Sequence, residues 1–246
     1  MRVLGVETAT PLASCALVDG SGVLAETVLR GTMRHLEWLA PAVDEMLRGL
    51  GLGPGDVEGI AVSVGPGGFT GLRIGIATAA AWARARRAPL VGVGTLEALA
   101  LGAGPHDAVL AALDAHRGEV AAGLYRIPGT GEPEPLVPPT VAPPAVVTAE
   151  VVAVVRRLTR GTEPGGGRVL VVGDALSRYE QVLLGGLQGW GTAGPHVHPR
   201  ATVVASLGRL RLIGGARDDP AVLLPIYGRR PALREWQETP AEPGNG

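Results

Sequence analysis

The sequence predicts an α/β fold of two lobes, each a mixed sheet that opens with an antiparallel hairpin and is flanked by helices. Three observations predict it. Residues 59–87 read as strand, glycine loop and helix: the apolar run Ile60–Val64, then Gly65-Pro66-Gly67-Gly68, then Gly71–Arg87, rich in helix formers and interrupted only by Gly75. The chain begins with an apolar run, Val3–Val6, that leads into a hairpin. After Gly102-Ala103-Gly104-Pro105, which reads as a hinge, the opening pattern restarts at Ala108. The lobes are expected at 1–104 and 105–228, the second the smaller, with 229–246 a Pro-, Glu- and Gly-rich tail read as disordered.

In order, Val3–Val6 is a strand ending at Glu7-Thr8-Ala9-Thr10-Pro11. Ala13–Val18 and Val23–Leu29 flank the turn Asp19-Gly20-Ser21-Gly22 and form a hairpin. Thr32–Leu50 is a helix whose inward stripe is Leu36, Leu39, Val43, Met46 and Leu50. Trp38 lies roughly 120 degrees from that stripe at about 100 degrees per residue, with Ala42 one turn further on its side. A tryptophan beside a small residue suits a partner contact, and equally a ring lying on the protein's own surface.

The central helix is expected to be capped by Thr70. Its glycine-preceded N-terminus either holds an anion or lets strand and helix pack tightly. Neither common nucleotide fingerprint is present: the Walker A lysine is missing, and Thr70 stands where a G-x-G-x-x-G beginning at Gly65 needs its third glycine. Gly71, Gly75, Ala79 and Ala83 recur every fourth residue. Such a face admits close approach of another helix or of the protein's own sheet. As an outward face, together with Trp38 and Ala42, it is the expected partner interface.

Leu90–Val93 is a strand and Leu96–Leu101 a short helix. Ala108–Leu113 and Val120–Tyr125 are strands around Asp114-Ala115-His116-Arg117-Gly118. Residues 127–144 contain seven prolines, which suits an irregular edge segment and not a central strand. Ala149–Leu158 is helical, Gly165-Gly166-Gly167 a loop, Val169–Val172 a strand. Gly173-Asp174-Ala175 leads into a helix, and Thr202–Ile213 is the last helix.

Composition narrows the function. All 22 basic residues are arginine, which excludes a Schiff-base lysine and P-loop chemistry. Net charge is −1 and aromatics make up 3%, so the chain lacks the surface of a stand-alone RNA binder. The one cysteine, Cys15, forms no internal disulfide, and Met1-Arg2-Val3 runs directly into a strand; a cytoplasmic protein without a signal peptide is expected. No apolar run is long enough for a membrane span. His196 and His198 alternate between Pro195 and Pro199 without a third ligand nearby in sequence, and read as loop residues.

Gly-Pro-Gly-Gly-Phe-Thr-Gly-Leu-Arg-Ile-Gly at 65–75 resembles the signature of the TsaB (YeaZ) family, subunits in threonylcarbamoyladenosine synthesis on tRNA. The resemblance continues through Gly5–Thr10 and Leu113–Val120 and ends near Leu224-Pro225-Ile226-Tyr227. It implies the two-lobed actin, Hsp70 and sugar-kinase fold (ribonuclease H-like lobes). It further implies a scaffold without catalytic residues or a metal of its own, pairing with a TsaD-like catalytic subunit and a TsaE-like ATPase. A homodimer when alone and only indirect contact with tRNA are expected.

In that superfamily the two hairpins grip nucleotide phosphates. The corresponding positions here are Glu7, Thr8, Asp114, Gly118, Gly173 and Asp174, a degenerate cleft with at most weak ATP or ADP binding there or at the partner interface. Glu7 replaces the usual aspartate, the second hairpin keeps only Gly118, and the adenosine double glycine is reduced to Gly173. Asp174 either reaches a ribose hydroxyl or caps the following helix. The metal-binding His-x-x-x-His of TsaD is missing, since Leu39 follows His35 by four. The alternative is a nucleotide-dependent phosphotransferase of the sugar-kinase type. The peptidase label once attached to the family finds no metal pair, nucleophile elbow or cysteine–histidine constellation here.

Overall fold

The computed structural model describes residues 1–30, 35–159, 168–194 and 198–228, and of His35 and Leu36 the backbone alone. The readings made above for Thr32, Leu36, Gly165–Gly167, His196 and the tail from 229 therefore lie outside the described residues.

Two five-stranded sheets repeat one connectivity. In the first, β1 (Val3–Glu7), β2 (Leu12–Asp19) and β3 (Gly22–Arg30) form an antiparallel meander. Then β4 (Gly59–Gly65) joins β1 in parallel and β5 (Leu90–Gly94) joins β4, giving the order β3-β2-β1-β4-β5. In the second, β6 (His106–Asp114), β7 (Val120–Ile127) and β8 (Glu134–Ala142) are the meander; β9 (Val169–Val172) and β10 (Gly191–Ala193) add in parallel, giving β10-β9-β6-β7-β8. The second sheet has as many strands as the first. Its two parallel additions are shorter, with four residues in β9 and three in β10 against seven and five in β4 and β5, while β6 is longer than β1, nine residues against five.

Strand position follows composition. β1 and β4 are buried along their whole length and sit inside the sheet, as continuous apolar runs should. β8 carries Pro135, Pro138 and Pro139 and lies at the sheet edge, where a missing N–H breaks no ladder.

Helices cover both faces of each sheet. Leu39, Val43 and Leu47 of α1 (His35–Gly49) and Ile76, Ala79 and Ala83 of α2 (Phe69–Arg86) pack on Leu4, Val6, Ile60 and Val62. In the second lobe α4 (Pro144–Leu158) and α5 (Leu176–Gly186) do the same through Val147, Val151, Val155 and Leu183. The remaining faces are covered crosswise. α3 (Thr95–Leu101) follows the first sheet but lays Leu96 and Leu99 on Val109, Ala111 and Val172 of the second. α6 (Ala201–Ile213) follows the second sheet but lays Val204, Ala205 and Leu212 on Val3, Ala61 and Val91 of the first. Arg211 of α6 ties the crossing together, bonding Glu97 of α3 at 3.1 Å and Glu132 of the β7–β8 turn at 2.8 Å.

Two boundaries and two strands differ from the sequence expectation, one of the strands being β8 in a stretch expected to be irregular. α2 begins at Phe69 with Gly68 as its N-cap, so Thr70 is inside the first turn and caps nothing. α4 starts at Pro144, since proline is well suited to a first helical position. The short polar β10 was not anticipated.

Candidate functional site

The ends of β1, β4, β6 and β9 converge on a cleft of about 670 Å³, the position where open α/β sheets bind ligands. It is lined by the Thr8–Pro11 turn, the Gly67–Gly71 loop, Ile74, Leu113, Asp114, His116, Asp174, Ser177, Arg178 and His198. Of the six sequence-predicted cleft residues, the structure brings Thr8, Asp114 and Asp174 to this wall and leaves Glu7, Gly118 and Gly173 off it.

Glu7 is fully buried at the end of β1. One carboxyl oxygen accepts the Ala9 N–H at 2.6 Å and the other bonds the Ser63 hydroxyl. Burial outweighs both bonds and pushes its carboxyl up to about 7. The expected strand-end acid is thus sealed between β1 and β4, away from any cleft ligand. Thr8 does line the cleft, and its hydroxyl donates to Gly71 O at 2.8 Å.

The glycine loop is stitched to this same turn. Gly68 N–H donates to Ala9 O at 2.7 Å, and a Cβ on Gly67 would lie 2.6 Å from that oxygen. Tight packing of strand and helix, one of the two alternatives, is therefore realised here. Phe69, Thr70 and Gly71 still bring to the cleft the N–H groups that a first helical turn leaves without helical partners.

Across the cleft, Asp174 accepts the Asp114 N–H at 2.8 Å, joining the ends of β9 and β6. Burial raises the Asp174 carboxyl above the ordinary aspartate range. Asp174 does not cap α5, whose N-cap is Ala175 without a side-chain bond. Gly173 turns at φ +123°, and any Cβ there would overlap the Ala112 carbonyl; the glycine serves the β9–α5 turn. In the β6–β7 turn, His116 (φ +61°) and Arg117 (φ +56°) join Gly118 (φ +83°) in left-handed conformation. Two L-residues thus occupy backbone positions that favour glycine. Asp114 Oδ1 accepts the His116 N–H at 2.8 Å, and Arg178 stands 3.6 Å from Oδ2.

The expected interface residues do not share an outward face. Gly75, Ala79 and Ala83 are buried, with Ala79 and Ala83 in the α1–α2 core, and Gly71 lines the cleft. Ala42 is also buried, and Trp38 is half-buried against that core. The stripe of small residues lets α2 approach its own sheet. The exposed positions of these helices include the small residues Ala40 and Pro41 on α1 and Ala77 and Ala81 on α2, alongside the charged Glu37, Glu45, Arg48, Arg73 and Arg84.

Several residues here were given no role in the cleft by the sequence. Phe69 stacks on Tyr227 with centroids 5.1 Å apart, and Arg73 lies 3.8 Å over the Phe69 ring while its Nε donates to the Tyr227 hydroxyl at 3.0 Å. His198 lines the cleft, and its buried Nδ1 has no hydrogen-bond partner among the described residues. Spacing gave no signal for the Phe69, Arg73 and Tyr227 contacts, because the partners are far apart in sequence; His198 was read from its spacing only as a loop residue, and the structure places it at the cleft. Among the described residues no group of three or more His, Cys, Asp or Glu is placed to hold a metal ion, and no helix is long and apolar enough to cross a membrane.

A family model described as "TsaD: tRNA N6-adenosine threonylcarbamoyltransferase" matches residues 21–145. The chain is 30% identical over 213 residues to the tRNA threonylcarbamoyladenosine biosynthesis protein TsaB of Bacillus subtilis, covering 85% of this chain and 87% of that one. The protein of the same name from Escherichia coli is 38% identical over 129 residues, covering 51% and 55%. The structure of YeaZ from Pseudomonas aeruginosa superposes with a TM-score of 0.72 at 25% identity, over 92% of this chain and all of that one.

Proposed function

Because the chain belongs to the TsaB family of tRNA threonylcarbamoyladenosine biosynthesis proteins, we propose that it acts in tRNA modification as an accessory subunit that activates a TsaD-type partner. The partner carries out threonylcarbamoyl transfer; this chain supplies a folded surface that holds it in its active form. The observation that carries this reading is the burial of Glu7. An acid serving a metal–phosphate centre must reach the cleft, and this one is held by Ser63 and the Ala9 N–H behind the wall. A sugar-kinase type of phosphotransfer has no acid at that strand end to work with.

The pairing surface is the exposed side of α1 and α2 around Ala40, Pro41, Ala77 and Ala81. Small side chains there admit close helix packing, so the same side serves a homodimer when the chain is alone. A TsaE-type ATPase joins the assembled pair. The first turn of α2 supports weak ATP or ADP binding in the cleft or at the pair's interface. The test is transfer of the threonylcarbamoyl group to tRNA by a TsaD subunit with and without this chain. Activity should require both proteins, and the purified chain alone should turn over no ATP. ATP turnover by the chain alone, abolished by Glu7→Gln, would overturn the accessory reading.

A further inference from the structure

At the opposite end of α2 from the cleft lies a second concavity, a groove of about 650 Å³. Arg84 and Arg87 at the end of α2, Pro89 after it, and Arg217, Asp218 and Pro220 in the segment after α6 line it. In place of the purely indirect contact with tRNA that the sequence led us to expect, we propose that this groove receives the sugar–phosphate backbone of RNA. The identification of the polyanion as RNA rests on the family role in tRNA modification; the groove itself rests on three observations.

First, its arginines outnumber the one acid in the lining and are not paired to it. Arg84 and Arg87 are exposed and form no ion pair among the described residues. Arg217 donates to the Leu212 and Ala216 carbonyls, at 2.7 and 2.5 Å, and likewise has no carboxylate partner among the described residues. The one acid in the lining, Asp218, accepts the Gly92 N–H at 2.7 Å. Second, the arginines come from separate elements. Cations in the last turn of α2 are accounted for by its negative pole, but that pole does not require Arg217 to converge from the segment after α6. Third, the lining holds no aromatic ring on which a base could stack. Guanidinium groups without stacking platforms suit phosphates and not base edges, and an open groove suits a continuous strand more than one enclosed phosphate.

The test is binding of a fluorescently labelled tRNA transcript to the full chain, followed by anisotropy across a salt series. The variant is Arg84→Gln/Arg87→Asn; both positions are exposed, and asparagine tolerates the left-handed backbone of residue 87 (φ +53°). The variant should keep its circular dichroism and melting temperature, bind tRNA at least fivefold more weakly, and show a log–log salt slope shallower by about 2. Arg156→Gln/Arg157→Gln on α4 should bind as the unmodified chain does. Equal binding by the groove variant, or equal loss in the α4 variant, would overturn the proposal. So would competition by inorganic pyrophosphate that depends on Arg84 and Arg87 while tRNA binding does not, since the site would then take a small phosphate ligand. If the unmodified chain binds no tRNA but still activates a TsaD subunit, the groove proposal fails and the accessory role stands. If it binds tRNA through these arginines but does not activate, the accessory role fails instead.

Discussion

Thr8 occupies the space that Gly75 leaves free. Its hydroxyl donates to Gly71 O at 2.8 Å, and a Cβ on residue 75 would overlap that hydroxyl oxygen. The end of the central strand is therefore bolted to the first two turns of α2, and the small residues of this helix are the seat for it.

Gly75→Ala should consequently destabilise the chain by about 2 kcal/mol, because α2 must shift off β1 to admit one methyl group. Urea unfolding measures it. Ala79→Glu should prevent folding of the isolated chain, since it places an unpaired carboxylate in the α1–α2 core. A stably folded Ala79→Glu protein that merely fails to pair would restore the stripe as an outward interface.

Glu7 gives the fold a pH dependence of known sign. Its carboxyl titrates near 7 in the folded chain against an ordinary value of 4.5, so between these the folded state holds the extra proton. Its contribution is full below about pH 4.5, falls as pH rises through about 7, and is constant above. The total change is about 3 kcal/mol. Unfolding free energies from pH 5 to 8 should decline in the parent and decline less steeply in Glu7→Gln, where the raised Asp174 carboxyl remains. Parallel profiles would show that Glu7 is ionised in the folded chain.

Arg117→Gly should stabilise the chain by about 1 kcal/mol. The exposed arginine sits at φ +56°, and glycine removes the steric penalty of that backbone. A loss of stability measured by thermal unfolding would mean that the guanidinium makes a contact outweighing the strain.

Tyr227→Ala should free the segment after α6 from the glycine loop. It removes the ring stacked on Phe69 and the hydrogen bond from Arg73, about 1–2 kcal/mol together. The amides of Leu223, Leu224 and Ile226 should then exchange faster with solvent, Ile226 by losing its bond to Val64 O, while those of β4 remain protected.

Much of this was legible in the sequence because the core strands announce themselves. Val3–Val6, Ile60–Val64 and Val169–Val172 are short apolar runs, and burial on both faces leaves little room for another reading. The proline-rich stretch was placed at an edge, as it is, but was read as irregular; with the prolines at an edge, Glu134–Ala142 still pairs with β7 as a strand. The crossed helices were not legible: the apolar residues of α3 and α6 show that a face is buried, and nothing local shows which sheet buries it. The Gly71–Ala83 stripe was misread for the same reason, since small residues mark close approach without naming what approaches. The sealing of Glu7 depends on Ser63, 56 residues away, a contact that only the parallel pairing of β1 and β4 creates.

The central claim is that the exposed side of α1 and α2 activates a TsaD-type subunit. It is tested most directly by threonylcarbamoyl transfer to tRNA, with a TsaD subunit titrated by this chain and by an Ala77→Glu/Ala81→Glu variant. Both substitutions lie on exposed helix positions, so the fold should persist. The parent chain should raise the rate to saturation at one equivalent, and the variant should leave it at the level of the TsaD subunit alone. Full activation by a folded variant would contradict the account.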